Sequence, residues 1–191
     1  MVYRPPVAIY DACVLYPFHL RNLLLQCAVD RLVDARWTDE IHDEWMRSLL
    51  ADRPALSRDD LTRTRGLMNR VLPEANVIGY QRHVEAVRLT DLDDRHVVAA
   101  AIEANASLVV TWNVRDFPLR ELARHGLRRQ TPDALLMDLY EALPEITAAT
   151  TASARTNLTR SGISAPEFVQ ILSRQGLRRF AQAISAHMPA L

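Results

Sequence analysis

Short apolar runs alternate along the chain with segments whose apolar positions recur every three or four residues. Val7-Ala8-Ile9-Tyr10 is one such run, and it closes on Asp11, as a buried parallel strand ending in an acid would. From Leu20, apolar residues at Leu23, Leu24, Cys27 and Ala28 predict a helix. Residues 32–37 predict a second strand. Thr38 then reads as an N-cap, with Asp39 and Glu40 in the first turn of a helix that buries Ile41, Trp45 and Leu49. Ser57 and Asp60 form a capping pair for a further helix that stops before Pro73. Val77 and Ile78 predict a third strand, 94–104 a helix, and 107–112 the clearest strand of all. Residues 119–124 are helical up to Gly126, 127–130 predict a last strand, and Thr131 caps a helix from Pro132 to about Leu143. Apolar strands alternating with helices predict an α/β domain with a mainly parallel sheet.

After Pro144 the texture changes. Residues 146–159 are rich in alanine and threonine and show no strand pattern, while Ser164-Ala165-Pro166-Glu167 is a capping box and Gly176 punctuates the helices around it. The chain therefore divides into a domain over residues 1–144 and a helical C-terminal extension over 145–191, packed on the domain or on a partner. From Arg155 to Arg179 five arginines face Glu167 alone, a local charge of +4 that suits a solvated surface or contact with phosphate or an acidic partner.

Composition narrows the chemistry. The 191 residues carry 23 basic and 23 acidic groups, and every basic residue is arginine. Without lysine, a Schiff base or a P-loop lysine is excluded. Zero net charge removes the global basicity of a nucleic-acid coat but not a local contact. Cys13 and Cys27 are too few for a thiolate zinc site or a disulfide framework and suit a reducing cytoplasm. The longest apolar run, 97–102, is far short of a membrane span, and the first residues do not read as a signal peptide. G-x-G, H-E-x-x-H and G-x-S-x-G are all missing.

Carboxylate is plentiful, and some of it occupies unusual positions. On a helical wheel with Val97 at zero, Asp94 falls at about 60°, in the middle of the apolar face made by Val97, Val98, Ala101 and Ile102. An isolated charge there is costly unless a helix dipole, a water-filled cleft or a metal offsets it. Asp11 lies at the carboxyl edge of the sheet, where open α/β domains bind ligands. Asp116 follows the clearest strand and reaches the same edge, unless it simply caps the helix beyond Pro118. Glu44 flanks the buried stripe of its helix, with Glu40 one turn away as a rival. If four such groups converge at about 4 Å, each pair repels by roughly 4 kcal/mol at an effective dielectric near 20. Such a cluster must take up protons or a cation. An oxygen-only donor set selects a hard ion, Mg²⁺ or Mn²⁺, which polarises phosphodiesters and generates hydroxide.

Four stretches then resemble the PIN-domain nucleases, in particular the toxin ribonucleases of VapBC-type toxin–antitoxin pairs. Residues 9–15 resemble the opening D-x-N-V-L and supply Asp11, with Cys13 where the family commonly has asparagine. Residues 38–45 resemble the helix that carries the second acid, Glu44. Residues 91–102 resemble the acid-led helix and supply Asp94, with Asp91 as an auxiliary. Residues 110–117 resemble V-T-x-N-x-x-D-F and supply Asp116, with Thr111 and Asn113 as polar helpers. The resemblance covers residues 7–143. It implies a three-layer α/β/α sandwich and an endoribonuclease whose Asp11, Glu44, Asp94 and Asp116 bind Mg²⁺ or Mn²⁺, leaving 5′-phosphate and 3′-hydroxyl ends. It also implies a cognate antitoxin and a tendency to dimerise. Arg115, Arg120, Arg124, Arg128 and Arg129 are the candidates to hold an RNA backbone, Arg115 and Arg120 foremost. Two rivals remain at this point: a non-catalytic PIN-like module that binds RNA or protein, and a haloacid-dehalogenase-type phosphatase. The second lacks the D-x-D-x-T motif that its chemistry needs.

Overall fold

A computed structural model describes residues 3–158 and 162–191. Four strands, β1 (Val7–Tyr10), β2 (Asp34–Arg36), β3 (Leu108–Val110) and β4 (Arg128–Gln130), form one wholly parallel sheet in the order β2-β1-β3-β4. Helices cover both faces of such a sheet, and the central strands are accordingly inaccessible: Ala8, Ile9, Tyr10, Val109 and Val110 expose nothing.

The chain leaves β1 through α1 (Ala12–Leu15) and α2 (Phe18–Val29). After β2 it runs through α3 (Asp39–Asp52), α4 (Arg58–Val71), a 3₁₀ turn (Pro73–Ala75), α5 (Gln81–Val84) and α6 (Arg95–Glu103) to β3. Since β2 and β3 lie on opposite sides of β1, right-handed crossovers send these two connections to opposite faces. On one face α2 packs against α9 (Pro144–Thr156), which also meets α8 (Pro132–Ala142); on the other, α6 packs on β1 and β3. Between β3 and β4 runs α7 (Leu119–Arg124). The α/β/α sandwich is thus the architecture of the chain.

The predicted caps form. Thr38, Ser57 and Thr131 accept from the backbone N–H of Ile41, Asp60 and Ala134 at 3.1, 3.1 and 3.2 Å. The predicted third strand at Val77 and Ile78 does not. That segment makes a single parallel bridge, Trp37 to Asn76, with Val77 N donating to the Trp37 carbonyl at 2.8 Å. Pro73 offers no N–H for a longer ladder, and Gly79, at φ 81°, turns the chain away.

The C-terminal helices pack on the domain. Besides α9 they comprise α10 (Ala165–Arg174), opened by the Ser164–Glu167 capping box, and α11 (Arg178–Ile184), followed by a 3₁₀ turn. α10 lies against α2 and α11 against α8, and Phe168, Leu172, Leu177, Phe180 and Ile184 belong to the same continuous core as the sheet. Among the described residues no helix is long and apolar enough to cross a membrane.

Candidate metal centre

Neighbouring strands whose connections leave toward opposite faces open a crevice at their carboxyl ends. Here that pair is β1 and β3, and Asp11 and Thr111 are the residues immediately beyond them. Asp11 N donates to the Val110 carbonyl at 3.1 Å, which fixes the backbone, and the residue is only 4% exposed. One carboxylate oxygen, Oδ2, accepts from Thr111 Oγ1 at 2.6 Å and from Cys13 Sγ at 3.1 Å. Thr111 Oγ1 is oriented in turn by Asn113 N at 2.9 Å, and Cys13 Sγ by Trp112 N at 3.2 Å. Burial, then the charge of Asp11, pushes the Cys13 thiol up to about 12, so it remains a neutral donor. The thiol thereby donates to Asp11 from the position where the resembled motif has asparagine. With both donors on Oδ2, Oδ1 of Asp11 has no hydrogen bond among the described residues.

Asp94 stands at the N-cap of α6 but makes no side-chain cap bond. Its carboxyl is pushed up to about 6, first by burial and then by the charges of Asp11, Asp91 and Asp116, with His96 opposing. These are the acids that the sequence pattern draws from three separate segments. Asp94, Asp11, Glu44, Asp93 and Asn113 line one cavity of about 460 Å³. Asp116, exposed, lies with Thr90, Asp91 and Arg115 on another of about 560 Å³. Asp91 caps locally, accepting from Asp93 N at 3.0 Å. Among the described residues no arginine pairs with Asp11, Glu44, Asp94 or Asp116.

Glu44 reaches the cavity from α3, where Ile41, Trp45 and Leu49 anchor the buried face. Its Oε1 lies 2.9 Å from His96 Nε2, and Glu40 Oε2, one turn earlier, lies 3.7 Å from His96 Nδ1. Tyr80 donates to the same Glu40 oxygen at 2.8 Å. Burial pulls His96 down, but the bond to Glu44 and the charges of Glu44, Glu40 and Asp11 outweigh it, leaving its pKa raised. Glu40, Glu44 and His96 offer ligand atoms within 4.8 Å of one another, a tighter set than the four predicted acids make. His96, an imidazole beside Glu44, lies outside the oxygen-only donor set that the sequence predicts. The available signal was a histidine two residues beyond Asp94, on the helix facing the Glu40–Glu44 stripe.

Of the predicted basic residues, Arg115 lines the Asp116 cavity and Arg120 and Arg128 are exposed. Arg124 pairs with Glu121 at 3.4 Å. Arg129 is framework: its guanidinium donates to the carbonyls of Val114 and Phe117 and braces the loop that carries Asp116. Clustered carboxylates, an Asp11 oxygen without a donor and a carboxyl already holding its proton toward neutrality suit a hard divalent cation.

A parallel α/β domain with acids gathered at its switch point is the arrangement of the PIN domain. Residues 7–115 match the PIN domain family and residues 132–186 match the VapC50 C-terminal domain; the chain belongs to the PIN domain family. It is 33% identical over 78 residues to a Mycobacterium tuberculosis H37Rv protein named "Putative ribonuclease VapC50". That match covers 41% of this chain and 46% of the relative, so the chain spans about half the length of the curated relative it matches. No solved structure matches the chain.

Proposed function

We propose that this protein is a divalent-metal-dependent endoribonuclease, the toxin of a toxin–antitoxin pair. The observation that carries the reading is geometric: Asp11, Glu44, Asp93 and Asp94 share one cavity at the carboxyl edge of the sheet, where among the described residues no arginine pairs with Asp94 and burial and the charges of Asp11, Asp91 and Asp116 push its carboxyl up to about 6. Asp11, Glu44, Asp94 and Asp116 would hold Mg²⁺ or Mn²⁺. When bound, such an ion supplies positive charge and Lewis acidity toward a phosphodiester. Thr111 and Cys13 hold Asp11 by one oxygen and leave the other free for this task. The uncapped Asp94 keeps both of its oxygens available, and Asp91 adds charge beside it. His96 fixes one oxygen of Glu44. Asn113 on the cavity wall and Arg115 on the neighbouring cavity, with the exposed Arg120, would bind the RNA backbone and present one phosphate to the acids.

The relative's name supports ribonuclease chemistry. The same reading assigns a cytoplasmic site of action, a cognate antitoxin that blocks the cavity, and a homodimer. The test is cleavage of end-labelled RNA and DNA by the parent chain and by Asp94→Asn, in magnesium and in chelator. The expected result is magnesium-dependent cleavage of RNA alone, leaving 5′-phosphates, which Asp94→Asn abolishes. Equal cleavage in chelator, or by Asp94→Asn, overturns the mechanism. RNA binding without cleavage makes the protein a scaffold.

A further inference from the structure

The turn joining α10 to α11 is built onto the carboxyl edge of the sheet, the edge that holds the acid cavity. Gly176, in that turn at φ 100°, packs so closely on the Trp112 ring that a Cβ there would lie 2.8 Å from it. Trp112 directly follows Thr111 at the end of β3, and its N–H bonds Cys13, the donor to Asp11. Gln175 Oε1 accepts from Leu20 N in the first turn of α2, the helix that begins just after Asp11 and α1. Asp133, in the first turn of α8 just beyond β4, accepts from Arg179 N at 3.3 Å and Phe180 N at 3.0 Å. These three anchors all lie beyond the carboxyl ends of parallel strands, so the turn sits on the same edge of the sheet as Asp11 and Asn113.

That turn carries Arg174, Arg178 and Arg179, all exposed. Among the described residues none of them has an ion-pair partner, and no acidic residue occurs anywhere from 168 to 191. A chain of zero net charge thus concentrates three exposed guanidinium groups on the sheet edge that also carries the acid cavity. Exposed arginines with no local partner suit phosphate, whose oxygens they bind in pairs without reading sequence. We infer that the α10–α11 turn is a phosphate clamp for RNA: Arg174, Arg178 and Arg179 hold the backbone of the strand whose scissile phosphate enters the acid cavity. The C-terminal extension is then part of the substrate site. This inference rests on the reading of that cavity as an RNA-cleaving centre.

The test uses the full chain carrying Asp94→Asn, which keeps RNA intact, and a fluorescein-labelled single-stranded RNA, with affinity measured by anisotropy from 50 to 300 mM salt. Arg174→Gln/Arg178→Gln/Arg179→Gln is compared with a control, Arg4→Gln/Arg31→Gln, whose sites are exposed at the opposite edge, before β1 and β2. The clamp predicts that the triple variant weakens binding about tenfold or more. It also predicts a salt slope lower by about 2, at roughly 0.7 per phosphate contact on a single strand. In the cleavage-competent chain KM for RNA rises accordingly. Binding within twofold of the parent with an unchanged slope overturns the clamp, as does an equal loss in the control or no RNA binding at all. A parent that cleaves no RNA, alongside a triple variant that loses RNA affinity, removes the nuclease reading and leaves the clamp standing.

Discussion

Removing the charge of Asp94 should stabilise the metal-free protein while destroying its function. In the folded chain this carboxyl titrates at about 6 instead of 3.8, so without a cation folding is opposed whenever Asp94 is ionised. Below the unfolded value both states are protonated and the residue costs nothing. As pH rises the unfolded chain ionises first, so the penalty grows between about pH 4 and 6 and is complete above the folded value. Two pKa units correspond to about 3 kcal/mol for a fully enclosed group, and solvent screening of this half-buried one reduces that to about 1–2 kcal/mol. Asp94→Asn should therefore unfold about 3–6 °C higher than the parent in EDTA at pH 7. The difference should shrink to near zero at pH 4. Added Mg²⁺ should raise the parent's midpoint and close most of the gap, since it neutralises the same repulsion. Thermal scans across pH 4–8, with chelator and with magnesium, supply the measurement. A variant no more stable than the parent at pH 7, or equally stabilised at pH 4, would refute the claim that Asp94 is held against its neighbours' charges.

Three further outcomes follow from the same geometry. Cys13, its thiol pushed to about 12, should react with iodoacetamide at pH 8 roughly a thousandfold more slowly than a thiol titrating at 9; mass spectrometry that finds it alkylated within minutes contradicts the neutral-donor role. Gly176→Ala should cost about 2–3 kcal/mol in urea unfolding, because its Cβ meets Trp112 at 2.8 Å and its φ of 100° suits only glycine; a loss under 1 kcal/mol means the turn is not seated on the ring. His96→Ala should lower Mn²⁺ affinity about 10–100-fold, as loss of a group that orients a ligand does, while His96→Gln, retaining a donor for Glu44, recovers part of it. In a Glu44→Gln background the His96→Ala loss should vanish, and persistence of the full loss assigns His96 a role apart from Glu44.

The acids at strand and helix ends were legible because charge stands out against a regular apolar pattern. Asp11 closes a run of four apolar residues, and Asp94 opens a helix that is buried from His96 to Ala101. Caps at Thr38, Ser57 and Thr131 were readable for a similar reason, a hydroxyl three residues ahead of an N–H that needs a partner. The false strand at Val77 had the right composition and lacked only a ladder partner, which composition does not encode. His96 was overlooked because its meaning lies across the fold, in the Glu40–Glu44 face of a helix that begins more than fifty residues earlier. Arg129 misled in the opposite direction. It sits among basic neighbours like a substrate ligand, yet its Nη1 donates to two carbonyls of the Asp116 loop. The α10–α11 arginines show why such partner accounting decides function: within the same residue type, those with internal acceptors build the site, and those without them are free to meet phosphate.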